Sequence, residues 1–150
     1  MNDIRLVCLC GSLRRESFNM MVLRKALACL PAGCVAEPLY WNDVPPFNAD
    51  DMDMGLPPSV QHLREKIRDA DGVFIATPEY NFSIPGMFKN MLDWVSRGAD
   101  QPFARKPVAI ASATTGPLGG ARVQYDMRRA MLFMDALVLQ KPEVYVGNVA

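Results

Sequence analysis

The sequence predicts an α/β chain: a doubly wound, five-stranded parallel sheet in the order 2-1-3-4-5, with helices on its faces. Three observations predict it. Short apolar, partly β-branched runs alternate along the chain with segments of helical periodicity. Three of those runs stop at loops rich in glycine, proline, hydroxyl and amide side chains, beginning at Gly11, Thr77 and Ala113. The length of 150 residues suits one domain with a serviceable core, and no apolar run approaches the roughly 18 residues needed to span a bilayer. Strands joined by right-handed helical crossovers run parallel, so the loops at their C-terminal ends share one edge of the sheet. The loops after strands 1, 3 and 4 then converge beside the switch between strands 1 and 3, where open sheets bind ligands.

The first strand is Ile4 to Cys10, in which Cys8 and Cys10 alternate and so share a face. A polar loop from Gly11 to Asn19 leads into a helix over Met20 to Leu30, with Met21, Val22, Ala26 and Cys29 as its apolar stripe. Strand, glycine-opened loop and helix make an anion site, because N–H groups at a helix N-terminus lack partners and the dipole there favours negative charge. Ser12, Arg14, Ser17 and Asn19 add side-chain donors; the competing reading is that Ser17 or Asn19 only caps the helix. The loop is neither a G-x-x-x-x-G-K-[ST] nor a G-x-G-x-x-G motif, which removes support for ATP and for dinucleotide binding of the Rossmann kind.

Val35 to Tyr40 reads as the second strand. Trp41 to Pro58 follows as a long loop bracketed by Pro45-Pro46 and Pro57-Pro58, and a loop of that length in a compact domain is usually functional or mobile. Ser59 is placed to cap a helix over Val60 to Ala70, with Val60, Leu63 and Ile67 inward and Arg64, Glu65, Lys66, Arg68 and Asp69 on a solvated face.

The central stretch is Gly72 to Arg97. Its strand, Val73 to Ala76, ends at Thr77-Pro78-Glu79-Tyr80-Asn81, and Pro85 opens an amphipathic helix. Met87, Phe88, Met91, Leu92 and Val95 are expected to face the sheet; Asn90, Trp94 and Arg97 lie on another side, expected to meet a partner subunit, with Trp94 either half-buried core or an interface anchor. Pro107 to Ser112 is the fourth strand, followed by a glycine- and hydroxyl-bearing turn from Ala113 to Gly120. A helix over Ala121 to Ala136 then carries Val123, Met127, Ala130, Met131 and Met134 on its apolar side. Leu137 to Leu139 and Val144 to Val146 supply a fifth strand interrupted by Lys141-Pro142. The sequence stops at Ala150 with no further helix, so one flank of the sheet is expected to be open, through truncation or for a partner subunit to cover.

Composition excludes several functions. Sixteen basic side chains balance sixteen acidic ones, which removes the electrostatic footprint of a nucleic-acid binder and weakens the case for an acidic electron carrier. The four cysteines and single histidine, His62, show no C-x-x-C or H-x-x-x-H spacing, so no metal site is expected and the cysteines read as structural thiols. The N-terminus lacks the pattern of a signal peptide, and a cytoplasmic protein without disulfides is expected. Ten methionines point mainly to core filling, with some adaptable apolar surface.

The segments Gly11-Ser12-Leu13-Arg14-x-x-Ser17-Phe18-Asn19, Thr77-Pro78-Glu79-Tyr80-Asn81-x-Ser83-Ile84-Pro85-Gly86-x-x-Lys89-Asn90-x-x-Asp93-Trp94-x-Ser96-Arg97 and Gly119-Gly120-Ala121-Arg122 together resemble the NAD(P)H-dependent FMN reductase family, near its bacterial quinone and chromate reductases. The resemblance covers essentially the whole chain and implies one flavodoxin-like FMN-binding domain over residues 1–150, in a family that also carries a C-terminal helix. It implies that Ser12, Arg14, Ser17, Phe18 and Asn19 hold the FMN phosphate. Pro78, Glu79, Tyr80 and Asn81 would line the isoalloxazine and ribityl chain, with Ser112 and the turn through Gly116 closing the other side. Glu79 satisfied by backbone N–H groups, and Tyr80 simply packed, stay open as alternatives. It further implies NAD(P)H as co-substrate, a small-molecule electron acceptor such as a quinone, azo compound, free flavin or chromate, and a homodimer or homotetramer to whose interface Arg122, Tyr125 and Glu143 contribute. No catalytic acid or base is needed, since the cofactor carries the hydride chemistry. The alternatives are a flavodoxin-like carrier without NAD(P)H turnover, and a chain that binds no flavin.

Overall fold

The computed structural model describes residues 3–150. In chain order its elements are β1 (Ile4–Cys10), α1 (Phe18–Ala28), β2 (Cys34–Leu39), α2 (Pro58–Asp69), β3 (Gly72–Thr77), α3 (Gly86–Val95), β4 (Pro107–Ala113), α4 (Ala121–Phe133), β5 (Leu137–Val138) and β6 (Val144–Val146). The strands pair in parallel in the order β2-β1-β3-β4-β5, and β6 also pairs with β4. β5 lies against Pro107 and Val108 while β6 lies against Ala111 to Ala113. Together they make the interrupted fifth strand that the sequence predicts. The long segment after β2 holds one short 3₁₀ turn, Ala49–Met54.

Strand alternation decides what each face buries. Val7, Leu9, Val73, Ile75, Val108 and Ile110 point to one side, into a core built with Val60, Leu63 and Ile67 of α2, Phe88, Met91, Leu92, Trp94 and Val95 of α3 and Val123, Met127 and Met131 of α4. Each large side chain removed from water there contributes about 1.5–3 kcal/mol. Cys8, Cys10 and Ala76 point to the other side, where they meet Leu23 of α1. Beside α1 this second face leaves an apolar groove of about 650 Å³ over Leu6, Phe74, Ala109 and Leu139.

Several side chains depart from expectation, two of them, Ser59 and Arg64, because of a partner distant in sequence. In α1 the buried apolar residue is Leu23, whereas Met21 is 47% exposed. Pro57 occupies the N-cap of α2 with no side-chain cap, and the Ser59 hydroxyl instead donates to the Asp43 carbonyl. Arg64 is not on a solvated face. It is 3% exposed, and its guanidinium donates to the carbonyls of Val95 and Asp100 and to the Asp100 carboxylate. Met87 is exposed instead of facing the sheet.

The side of α3 expected to meet a partner subunit is covered by the chain's own long loop. Asn90 Nδ2 and Trp94 Nε1 both donate to the Pro45 carbonyl at 2.9 Å, and Phe47 N–H donates to Asn90 Oδ1 at 2.6 Å. Phe47 packs edge-on against the buried Trp94 ring, and the Arg97 guanidinium lies 5.3 Å from the Phe47 ring centre. At its other end the loop is pinned by Trp41, whose Nε1 donates to the Cys10 carbonyl at 2.8 Å. The loop is therefore anchored at the end of β1, next to the first ligand-binding segment.

Candidate functional site

The three loops do converge. Gly11 follows β1 directly, and its N–H donates to the Ala76 carbonyl of β3 at 2.8 Å. A Cβ at this position would lie 2.2 Å from Thr77 Oγ1, so only glycine lets the first loop pass the end of β3 this closely. The Ser12 hydroxyl accepts from Arg14 N–H at 3.2 Å, and Ser17 caps α1 by accepting from Met20 N–H at 3.3 Å. Both hydroxyls are buried and keep a hydrogen to donate. The first-turn N–H groups of Phe18 and Asn19 precede the first intrahelical bond, which runs from Met21 N–H to the Ser17 carbonyl. Arg14 is exposed beside them, its guanidinium 5.3 Å from the Phe18 ring centre. The Ser17 hydroxyl lies 3.9 Å from Cys10 Sγ. Burial raises the Cys10 thiol pKa and pushes that of Cys8 up to about 11, so both are poor nucleophiles.

The Asn19 side chain also bonds to the end of β4. It is buried, with Nδ2 donating to the Ala113 carbonyl and Oδ1 accepting from Ala113 N–H, each at 2.9 Å. Both ends of the amide are thereby committed to the end of β4. The residue ties the first loop to the third.

The second loop is a tight hairpin. Tyr80 and Ser83 exchange two backbone hydrogen bonds of 3.0 Å, and Asn81 and Phe82 between them both have positive φ, 50° and 67°. A left-handed backbone is tolerable for asparagine and unusual for phenylalanine, so the tip is locally strained. Pro78 is buried as the rigid wall before it, while the rings of Tyr80 and Phe82 are 49% and 67% exposed. The Glu79 carboxylate is met by backbone N–H groups. Oε2 accepts from the N–H groups of Arg122 and Val123 at 3.0 and 3.1 Å, and Oε1 accepts from Arg122 Nη1 at 3.1 Å. Gly120, the N-cap of α4, is left-handed at φ 84° and has no side chain with which to cap; Glu79 supplies the carboxylate at that positive helix end from another loop.

The third loop is held from behind. Ser112 is fully buried, its hydroxyl donating to the Gly119 carbonyl at 2.6 Å and accepting from Gln124 Nε2 at 2.8 Å. Ser112 thus shapes the turn without reaching the pocket. Thr114 N–H donates to the Val146 carbonyl, and the Gly116 carbonyl accepts from Asn148 N–H and from the Thr114 hydroxyl, so β6 fixes this turn in place.

Between the loops lies a pocket of about 190 Å³. It is lined by Ser12, Arg14, Ser17, Phe18, Asn19, Pro78, Glu79 and Tyr80 from the set that the sequence singles out, and by Ala113, Thr114 and Thr115. Asn81, Ser112 and Gly116 stand outside that lining. Thr114 and Thr115 belong to the expected turn through Gly116, and they supply the hydroxyls of this wall. The donor set fits FMN: first-turn N–H groups, two buried hydroxyls and a guanidinium suit a phosphate dianion, and a proline wall with an adjacent exposed tyrosine suits a flat ring.

Comparison with known proteins agrees with this geometry. Residues 4–150 match the family model described as NADPH-dependent FMN reductase. The chain is 42% identical over 147 residues to an NAD(P)H-dependent FMN reductase of Pseudomonas aeruginosa, covering 98% of this chain and 80% of that protein. It is 47% identical over 148 residues to a quinone reductase of Escherichia coli, covering 97% of this chain and 78% of that one. Among solved structures, FerB, a flavoenzyme NAD(P)H:(acceptor) oxidoreductase from Paracoccus denitrificans, superposes with a TM-score of 0.88 at 31% identity, covering 95% of this chain and 78% of FerB. By sequence and by fold, the chain belongs to the NADPH-dependent FMN reductase family.

Proposed function

We propose that residues 1–150 act as one FMN-binding domain that oxidises NADH or NADPH and passes the electrons to a quinone or a similar small acceptor, such as an azo compound, free flavin or chromate. The observation that carries this reading is the pocket where the anion-binding start of α1 faces the Pro78–Tyr80 wall. The names of the relatives, NAD(P)H-dependent FMN reductase and quinone reductase, support a reductase over an electron carrier without NAD(P)H turnover.

FMN supplies the redox chemistry when bound, accepting hydride equivalents from a dihydronicotinamide and releasing them to an acceptor. The protein binds and orients. Ser12, Ser17, Arg14 and the first-turn N–H groups of α1 would hold the phosphate, and Asn19 keeps that cradle in register with β4. Pro78 and Tyr80 would flank the ring system, with Thr114 and Thr115 on the opposite wall. Glu79 keeps α4 docked against this wall.

No helix among the described residues is long and apolar enough to cross a membrane. We place the protein in the cytoplasm as a homodimer or homotetramer; exposed Tyr125, Leu132 and Phe133 on α4 support such an association. Initial rates at varied NADPH and quinone test the mechanism. Donor and acceptor using one site in turn give parallel double-reciprocal lines, and intersecting lines would contradict the shared site.

A further inference from the structure

We infer that Gln124 is a positioning residue for the FMN pocket, setting the third loop against the other two walls through the Ser112 hydroxyl. The inference rests on the FMN-binding reading and adds what fixes the far wall of that site.

Gln124 stands on α4 and is fully buried within the chain. Its Nε2 donates to the Ser112 hydroxyl and to the Val144 carbonyl of β6, each at 2.8 Å, which uses both amide hydrogens. Gln124 fills the acceptor side of that hydroxyl, so its single hydrogen is left for the Gly119 carbonyl at 2.6 Å. The Ser112–Gly119 bond joins the end of β4 to the far end of the third loop and closes residues 113–118 into a ring. Ala113, Thr114 and Thr115 of that ring line the pocket. β6, the second partner of Gln124, belongs to the segment that grips the same ring from outside, where Thr114 N–H donates to the Val146 carbonyl and Asn148 N–H to the Gly116 carbonyl. The start of α4 is in turn tied to the second loop, because Arg122 and Val123 N–H donate to Glu79. One side chain therefore couples the helix held by the second loop to the strand end and turn that form the third.

Packing alone does not account for the residue. Gln124 Oε1 is buried and meets no donor among the described residues, a cost that an apolar side chain of similar shape would avoid. The Val144 carbonyl dictates which end of the amide faces it, since only Nε2 can donate there. The amide is thus used for its two donors.

Gln124→Met keeps the length of the side chain and removes both donors. The FMN dissociation constant of this variant, read from quenching of flavin fluorescence, should rise about tenfold or more. Amide exchange in the full chain without FMN should accelerate in residues 113–120 and stay at the wild-type rate in β1 and β3. Ser112→Ala removes the other half of the contact, and the double variant should bind FMN no more weakly than the weaker single variant. Wild-type FMN affinity in Gln124→Met, exchange that quickens equally throughout α4 and β4, or additive losses in the double variant would each overturn the inference. Should Gln124→Met fail to fold, Ser112→Ala decides: it opens the ring, so FMN affinity must fall, and an unchanged affinity overturns the inference. A wild type that binds no FMN would refute the FMN-binding reading and this one with it, whereas equal affinity in wild type and variants overturns this one alone.

Discussion

The side-chain amide of Asn19 and the backbone of Ala113 exchange two hydrogen bonds, each 2.9 Å, across 94 residues of chain. The pair works like one more rung of ladder at the end of β4, and it sets the spacing between the anion loop and the third loop. Asn19→Ala leaves the Ala113 N–H and carbonyl buried without partners. We expect a loss of about 2–3 kcal/mol in urea unfolding, accompanied by weaker FMN binding in fluorescence titration. Unchanged stability would mean that the latch carries nothing.

Arg64 and Arg68 look alike in the sequence and should behave differently. Arg64→Ala removes a buried guanidinium bridging α2 to Val95 and Asp100, and it should cost about 3 kcal/mol. Arg68→Ala breaks an exposed pair with the same carboxylate and should cost less than about 1 kcal/mol. The Arg68 hydrogen bond, with the charges of Arg64 and Arg68, holds the Asp100 carboxyl below its ordinary 3.8. A lowered carboxylate pKa contributes stability that is full above the unfolded value and is lost as pH falls through the folded one. The difference in stability between wild type and Asp100→Asn should therefore be constant near neutrality and shrink only below about pH 4, as read by denaturation at several pH values.

The contrast shows what a sequence can and cannot display. Val60, Leu63 and Ile67 repeat at helical spacing, so their inward face was legible. Arg64 adjoins that stripe, and only the positions of Val95 and Asp100 reveal that it is buried. The same holds at α3. Asn90 and Trp94 form a polar-aromatic line in sequence, consistent with an interface, but their acceptor is Pro45, supplied by a loop with no periodicity. At the site, glycine, hydroxyls and prolines at strand ends marked all three walls, because the chemistry of those turns is local. The partners of Glu79, Asn19 and Ser112 were not legible, since each is backbone or side chain brought in by the parallel crossovers.

Release of the long loop should be visible without loss of the fold. Trp94→Phe keeps most of the buried ring and removes the donor to Pro45, and Asn90→Ala removes the second donor and the acceptor for Phe47 N–H. Hydrogen exchange in residues 42–56 is expected to accelerate in both, with α2 and α3 protected as in wild type. Protection of the loop equal to wild type would show that Trp41 and Phe47 packing alone retains it.

Thiol chemistry divides the cysteines. Cys29 is exposed at the C-cap of α1, whereas burial raises the pKa of Cys8 and Cys10. Titration with a chromogenic disulfide near pH 8 should label Cys29 readily in the native protein, and Cys8 and Cys10 only on unfolding. Labelling of Cys10 at the rate of Cys29 would contradict its position beneath the Ser17 cap.

Anaerobic stopped-flow mixing of the FMN-loaded protein with NADPH, followed by a quinone, tests the central claim most directly. Absorbance at about 450 nm, where an oxidised flavin absorbs, should fall on mixing with NADPH and return in full when the quinone is added. A flavin that stays oxidised in the presence of NADPH would contradict the account.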